Sequence, residues 1–137
     1  MKPIYKILLI IEIIVGFSHM LLLWVFGLGF SPLLFASLFS GKLEPAIFSI
    51  LGLVVFALGT LGIFGVLQLL KLLLFQNVSV SPPNKLKVFL ASGFAVNTVV
   101  ICLFSFELTS KTLAASLPMI VTVHLIYLSR DYLWENS

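Results

Sequence analysis

The chain has 137 residues, of which 61% are hydrophobic and 9% are charged, and its mean hydropathy is +1.22. Soluble domains carry about 25% charged residues, so this composition excludes a water-soluble domain. A disordered chain needs low hydrophobicity and is excluded as well. The net charge of +3 does not indicate nucleic-acid binding, because the basic residues are scattered and form no stripe. The lipid bilayer remains, and an integral membrane protein is predicted.

Apolar runs predict four transmembrane helices within a single membrane domain over residues 1–137. At about 20 residues per span, they cover about residues 4–28, 45–71, 86–106 and 113–130. The first run is interpreted as an uncleaved span rather than a signal peptide, because Glu12 interrupts it and no small-residue cleavage site follows before Trp24. The predicted fold class is all-α, a polytopic antiparallel four-helix bundle.

The connection between the first two spans has a helical pattern of its own. Ser31-Pro32 is typical of a helix start and Gly41 of a helix end. The apolar residues between them are too few to cross a bilayer. This pattern predicts a short interfacial or re-entrant half-helix between spans one and two.

The distribution of basic residues predicts the orientation. Six lie on one side of the four predicted spans and two on the other, and such an excess marks the cytoplasmic side. The six are Lys2, Lys6, Lys71, Lys85, Lys87 and Arg130, and the two are Lys42 and Lys111. We therefore expect a multi-pass protein of the inner cell membrane with both termini in the cytoplasm.

Glu12 and His124 are the most informative polar residues inside the predicted spans. A carboxylate within a span costs about 2.5–3.5 kcal/mol on insertion scales, so it needs a partner. At 1.5 Å per residue, Glu12 lies about 12 Å and His124 about 9 Å from the same membrane face. This match in depth predicts that spans one and four are neighbours and that the two side chains are within hydrogen-bonding reach.

Two more polar residues have a functional and a structural interpretation. His19 lies on the same helical face as Glu12, and Asn97 lies near the middle of span three. Together with Glu12 they form a candidate polar track for protons across the interior. Alternatively, intramembrane His and Asn side chains hold helices together by hydrogen bonds.

Small residues within the spans indicate close helix packing. Gly16 lets another helix approach span one closely, Gly59 and Gly62 lie in span two, and Ala91 and Ala95 form a stripe on span three that ends at Cys102. One cysteine excludes an internal disulfide and a CxxC pair. Catalytic motifs, metal-ligand clusters and cofactor signatures are absent from the sequence, so no enzyme activity, metal or cofactor is predicted.

The segment from Ile11 to Gly16, centred on Glu12, resembles the glutamate-centred first span of the small multidrug-resistance transporters. This resemblance covers about one helix in four. The chain departs from that family by its greater length, by the segment after span one and by the lack of a tryptophan in span three. The resemblance does not place the chain in that family.

Two hypotheses of function follow from the sequence. The first is a non-enzymatic binding or accessory protein that associates with another membrane protein or with copies of itself. The segment from Pro32 to Ser40 and the C-terminal Tyr132-Leu133-Trp134 are its candidate contact surfaces. The second is a proton-coupled small-molecule transporter or channel in which Glu12 is the protonation site.

Overall fold

A computed structural model describes the backbone of residues 3–75, 79–104 and 110–135, and the side chains of residues 3–75, 79–102 and 116–134. These residues form five helices: α1 (Pro3–Leu38), α2 (Leu43–Leu74), α3 (Pro83–Phe104), α4 (Ser110–Leu128) and α5 (Arg130–Glu135). The helices α1, α2 and α3 are long and apolar enough to cross a membrane. The predicted all-helical membrane protein is thereby confirmed in outline.

The four long helices form an antiparallel bundle. α1 packs against α2 and α4, and α3 packs against the same two helices, so α1 and α3 lie on opposite sides of the bundle. The basal end of the bundle is where α1 begins, α2 ends and α3 begins. The distal end is where α1 connects to α2 at residues 39–42.

The predicted half-helix between spans one and two does not form a separate element. Residues 31–38 are instead the last turns of α1, which continues through Pro32. Proline removes the N–H that would bond the carbonyl four residues earlier, which is the carbonyl of Leu28. The Ser31 hydroxyl donates a hydrogen bond to that carbonyl at 2.9 Å, and this contact explains why the helix continues. The chain turns only at Gly41, whose φ is +71°.

Glycines set the closest approaches between helices. α2 and α3 cross at Gly62 and Gly93, where a Cβ atom on Gly62 would overlap the Cα atom of Gly93. α1 and α4 meet at Gly16, where a Cβ atom would lie 2.5 Å from Cγ2 of Val121. Gly59 is buried as well, near Val96. Small residues at these positions let helix backbones come into contact.

The predicted packing stripe on α3 faces away from the other helices. Ala91, Ala95 and Cys102 are all exposed, whereas Gly93 and Val96 contact α2. The spacing of the stripe defines one helical face, but small apolar residues suit lipid-facing and helix-facing positions alike. The prediction that Ala91 and Ala95 pack inside the bundle is therefore wrong.

The basal end is closed by contacts between distant parts of the chain. Lys6 Nζ donates a hydrogen bond to the Leu74 carbonyl at 2.7 Å, which joins the start of α1 to the end of α2. The Ser81 N–H donates to Gln68 Oε1 at 2.7 Å, and the Tyr132 hydroxyl donates to the Ser81 carbonyl at 3.1 Å. The connection before α3 is thus held by both α2 and α5.

The C-terminal segment takes part in this closure. The Leu133 side chain is fully buried, as are those of Leu69 and Leu86. The Lys87 ammonium lies 5.3 Å from the centre of the Trp134 ring, a cation–π contact between α3 and α5. Leu133 is thus excluded as a contact residue, whereas Trp134 is 58% exposed, and its contact with another molecule stays a prediction.

At the distal end, α1 and α2 extend beyond the described parts of α3 and α4. Val121 of α4 contacts Gly16 of α1. Ser110, where α4 begins, lies eleven residues before Val121, and Gly27 lies eleven residues after Gly16. Because the two helices are antiparallel, Ser110 lies level with Gly27. By the same comparison from the Gly62–Gly93 crossing, Phe104 at the end of α3 lies level with Leu51 of α2. Residues 28–38 and 43–50, together with Phe39 in the turn directly after α1, therefore form a two-helix projection, which we call the arm.

Candidate functional sites

The structure brings Glu12 and His124 into contact, as the matching depths predict. His124 Nδ1 and Glu12 Oε1 form a hydrogen bond of 2.6 Å between α1 and α4. The Gly16–Val121 contact one turn away sets this pairing, because it brings the two helices close together.

The pair lies at the outer rim of the bundle and not in its interior. The side chains of Glu12 and His124 are 32% and 46% exposed. Both line a groove of about 470 Å³ between α1 and α4, together with Tyr5, Leu8, Leu9 and Leu128. The depth calculation predicts the register of the two helices correctly, but it contains no information about the rotation that turns the pair outward.

The other two candidate polar residues do not join this pair in a continuous interior track. His19 is exposed. Asn97 is 4% exposed and lines a separate cavity of about 20 Å³ inside the bundle. The side chains around this cavity include Phe17, Met20 and Thr122, and neither Glu12 nor His124 borders it. Within the described residues, the single chain therefore does not connect Glu12, Asn97 and His19.

Asn97 has an unusual environment for a buried amide. Among the described residues, its Nδ2 atom is a buried side-chain donor without a hydrogen-bond partner. A buried donor left unpaired costs about 1–3 kcal/mol. The cavity that it lines contains the Gly62–Gly93 crossing, so small residues and an amide occupy the same point of the bundle.

Interhelical hydrogen bonds that the sequence analysis missed join α1 to α2. Trp24 Nε1 donates to Thr60 Oγ1 at 2.9 Å, and Thr60 Oγ1 donates to the Phe56 carbonyl at 2.8 Å. Near the tip of the arm, the hydroxyls of Ser37 and Ser49 are hydrogen-bonded to each other. Serine and threonine that also bond to their own helix are common in membrane helices, so the sequence does not reveal which of them reach a neighbour.

The arm presents an apolar surface to its surroundings. Its side chains are mostly aromatic or aliphatic, and the most exposed are Phe39 at 87%, Leu43 at 77% and Phe48 at 74%. The charged groups close to it are Lys42 in the connection and Glu44 in the first turn of α2. Contiguous apolar patches of this kind mark contact with lipid or with another protein.

No group of three His, Cys, Asp or Glu side chains that could hold a metal ion occurs within the described ranges. Comparisons of the chain with protein-family models, with curated proteins and with solved structures find no match. The interpretation of function consequently depends on the two features described above, the Glu12–His124 groove and the arm.

Proposed function

We propose that the protein is a non-enzymatic binding or accessory component of the inner membrane, which uses the arm to bind a hydrophobic segment of another membrane protein. In this proposal the bundle crosses the membrane four times, and both termini are cytoplasmic. α4 has 19 residues and is therefore about 28 Å long, close to the hydrocarbon thickness of about 30 Å. The excess of basic residues at the basal end supports the orientation.

The observation that carries the proposal is the length of α1 and α2. The 36 residues of α1 measure about 54 Å and the 32 residues of α2 about 48 Å, whereas the hydrocarbon layer is about 30 Å thick. With the basal end of the bundle at the cytoplasmic interface, the arm therefore projects past the hydrocarbon layer. Exposed phenylalanine and leucine side chains are unfavourable in the polar headgroup region. In this proposal an apolar segment of the partner packs against them.

Co-purification tests this function. Full-length protein extracted from its native membrane in mild detergent should carry one stoichiometric protein partner, identified by mass spectrometry. Replacing Phe39 and Phe48 by serine should release that partner, because both side chains are highly exposed on the arm. Val88, which is 63% exposed on α3 at the basal end, provides the matched control as Val88→Ser. Purification without any partner, or retention in the arm variant, would contradict the proposal.

A second candidate function is favoured by the Glu12–His124 pair. In this candidate the protein is a proton-coupled small-molecule transporter or channel, and Glu12 is its protonation site. The 2.6 Å contact and the open groove beside it support this role, since ionisable residues within membranes commonly serve ion and proton pathways.

Flux measurements separate this candidate from the first. Protein reconstituted in vesicles should show pH-dependent flux that Glu12→Gln abolishes while the fold is retained. Glu44→Gln, in the first turn of α2, is the matched control and should leave the flux unchanged. The same flux in Glu12→Gln and wild-type protein would exclude Glu12 as the protonation site.

A further inference from the structure

A second groove lies at the basal end, between the last turns of α2 and the chain that leads into α3. Its volume is about 430 Å³. The lining side chains are those of Phe64, Leu67, Gln68, Lys71, Ser79, Val80 and Ser81. Gln68 accepts the hydrogen bond from the Ser81 N–H, and this contact holds the wall formed by residues 79–81 against α2.

The groove changes from apolar to polar along its length. Phe64, Leu67 and Lys71 are spaced by three and four residues, so they follow one another along a single face of α2. The apolar part comes first, with Phe64 at 53% and Leu67 at 52% exposure. About 10 Å from Phe64 towards the basal end, Lys71, Ser79 and Ser81 form the polar part.

Several other cations at the basal end already have partners within the chain. The ammonium of Lys6 is bonded to the Leu74 carbonyl, that of Lys87 lies over Trp134, and Arg130 contacts Asp131 and Tyr127. The ion pairs among the described side chains do not include Lys71, which is exposed and lines the groove. It is therefore available to an anion that enters the groove.

We propose that this groove binds an anionic phospholipid. The phosphate lies against the Lys71 ammonium and the hydroxyls of Ser79 and Ser81, and an acyl chain follows Phe64 and Leu67. An ammonium and two hydroxyls supply the hydrogen bonds that phosphate oxygens accept. The apolar half of the groove favours a lipid over free phosphate, because free phosphate has no apolar group that could occupy it. The site is independent of the arm and of the Glu12–His124 pair.

Native mass spectrometry of the full-length protein in detergent tests the site. Titration with phosphatidylglycerol and with phosphatidylcholine should give preferential retention of phosphatidylglycerol. Lys71→Gln should reduce this retention about fivefold, the factor that corresponds to one lysine near an anionic surface. Lys71→Arg should restore it. Lys42→Gln, which removes a cation at the distal end, should leave it unchanged.

Several outcomes would overturn the proposal. These are equal retention of the two lipids, undiminished phosphatidylglycerol retention in Lys71→Gln, or an equal loss in Lys42→Gln. A separate titration with inorganic phosphate tests the free anion. Phosphate binding that depends on Lys71 but does not compete with phosphatidylglycerol would overturn the lipid assignment. Thermal unfolding of Lys71→Gln should match wild type, because the side chain is exposed, and this control separates lost binding from lost folding.

Discussion

The two ends of the bundle differ in how far contacts within the chain bury their apolar side chains and pair their polar groups. At the basal end, α5 folds back, Leu133 is fully buried, and Lys6, Gln68 and Tyr132 join distant segments. At the distal end, the arm exposes phenylalanine and leucine. The basal end is thus stabilised by contacts within the chain, whereas in our proposal a partner covers the arm.

The Gly62–Gly93 crossing gives the largest expected effect, because it lies in the closed part of the bundle. Gly62→Val should destabilise the protein by more than about 4 kcal/mol or prevent folding, since the new side chain meets the α3 backbone. The measurement is chemical or thermal unfolding in detergent. Gly29→Ala on α1, where no atom lies within 4 Å of the new Cβ, is the control and should not lose stability. Equal losses would contradict the packing described here.

A pair of leucine substitutions compares the two ends directly. Leu133→Ala should lower the free energy of unfolding by about 2–5 kcal/mol, because the side chain is fully buried. Leu33→Ala on the arm, where the side chain is 64% exposed, should change the stability of the isolated protein by less than about 0.5 kcal/mol. Similar effects at the two positions would show that the arm is packed within the isolated chain.

Asn97→Leu should have a smaller effect and the opposite sign. The substitution removes a buried amide donor without a partner, so the isolated protein should become more stable by about 1 kcal/mol. Thermal unfolding provides the measurement, with Asn97→Asp as a comparison that keeps a polar group in the cavity. A clear loss of stability in Asn97→Leu would show that the amide forms a bond that matters for the fold.

The smallest expected effect concerns the α1–α2 contact where the arm joins the bundle. Trp24→Phe removes the hydrogen bond to Thr60 and should cost about 0.6 kcal/mol, the average for such bonds between membrane helices. Thr60→Val should cost a similar amount. The double variant should lose less stability than the sum of the two single losses. Strict additivity would indicate that the bond contributes nothing.

The sequence predicts some features of this structure well. Helix positions follow from apolar runs and from the Ser81-Pro82-Pro83 segment, which interrupts them. The Glu12–His124 contact follows from depth along antiparallel helices, because rise per residue is constant. The depth of a residue along the helix axis says nothing about the rotation of the helix about that axis, so the sequence does not predict that the pair faces outward.

Other features depend on contacts that local patterns do not encode. Continuation of α1 through Pro32 depends on the Ser31 hydroxyl replacing a lost backbone bond, although the same two residues are typical of a helix start. In a membrane helix both the buried and the lipid-facing sides are apolar. For this reason the spacing of Ala91 and Ala95 does not indicate which side of α3 packs against α2, and Gly93, which does pack there, does not stand out in the sequence.

Photocrosslinking from the arm tests the central claim most directly. A benzophenone-bearing phenylalanine analogue at position 39, where Phe39 is the most exposed of the large apolar side chains, is irradiated in native membranes. We expect one discrete adduct with a second protein at position 39 and none at position 88 of α3. Adducts with lipid alone at position 39 would contradict a partner on the arm, and an adduct of twice the chain mass would assign that surface to self-association.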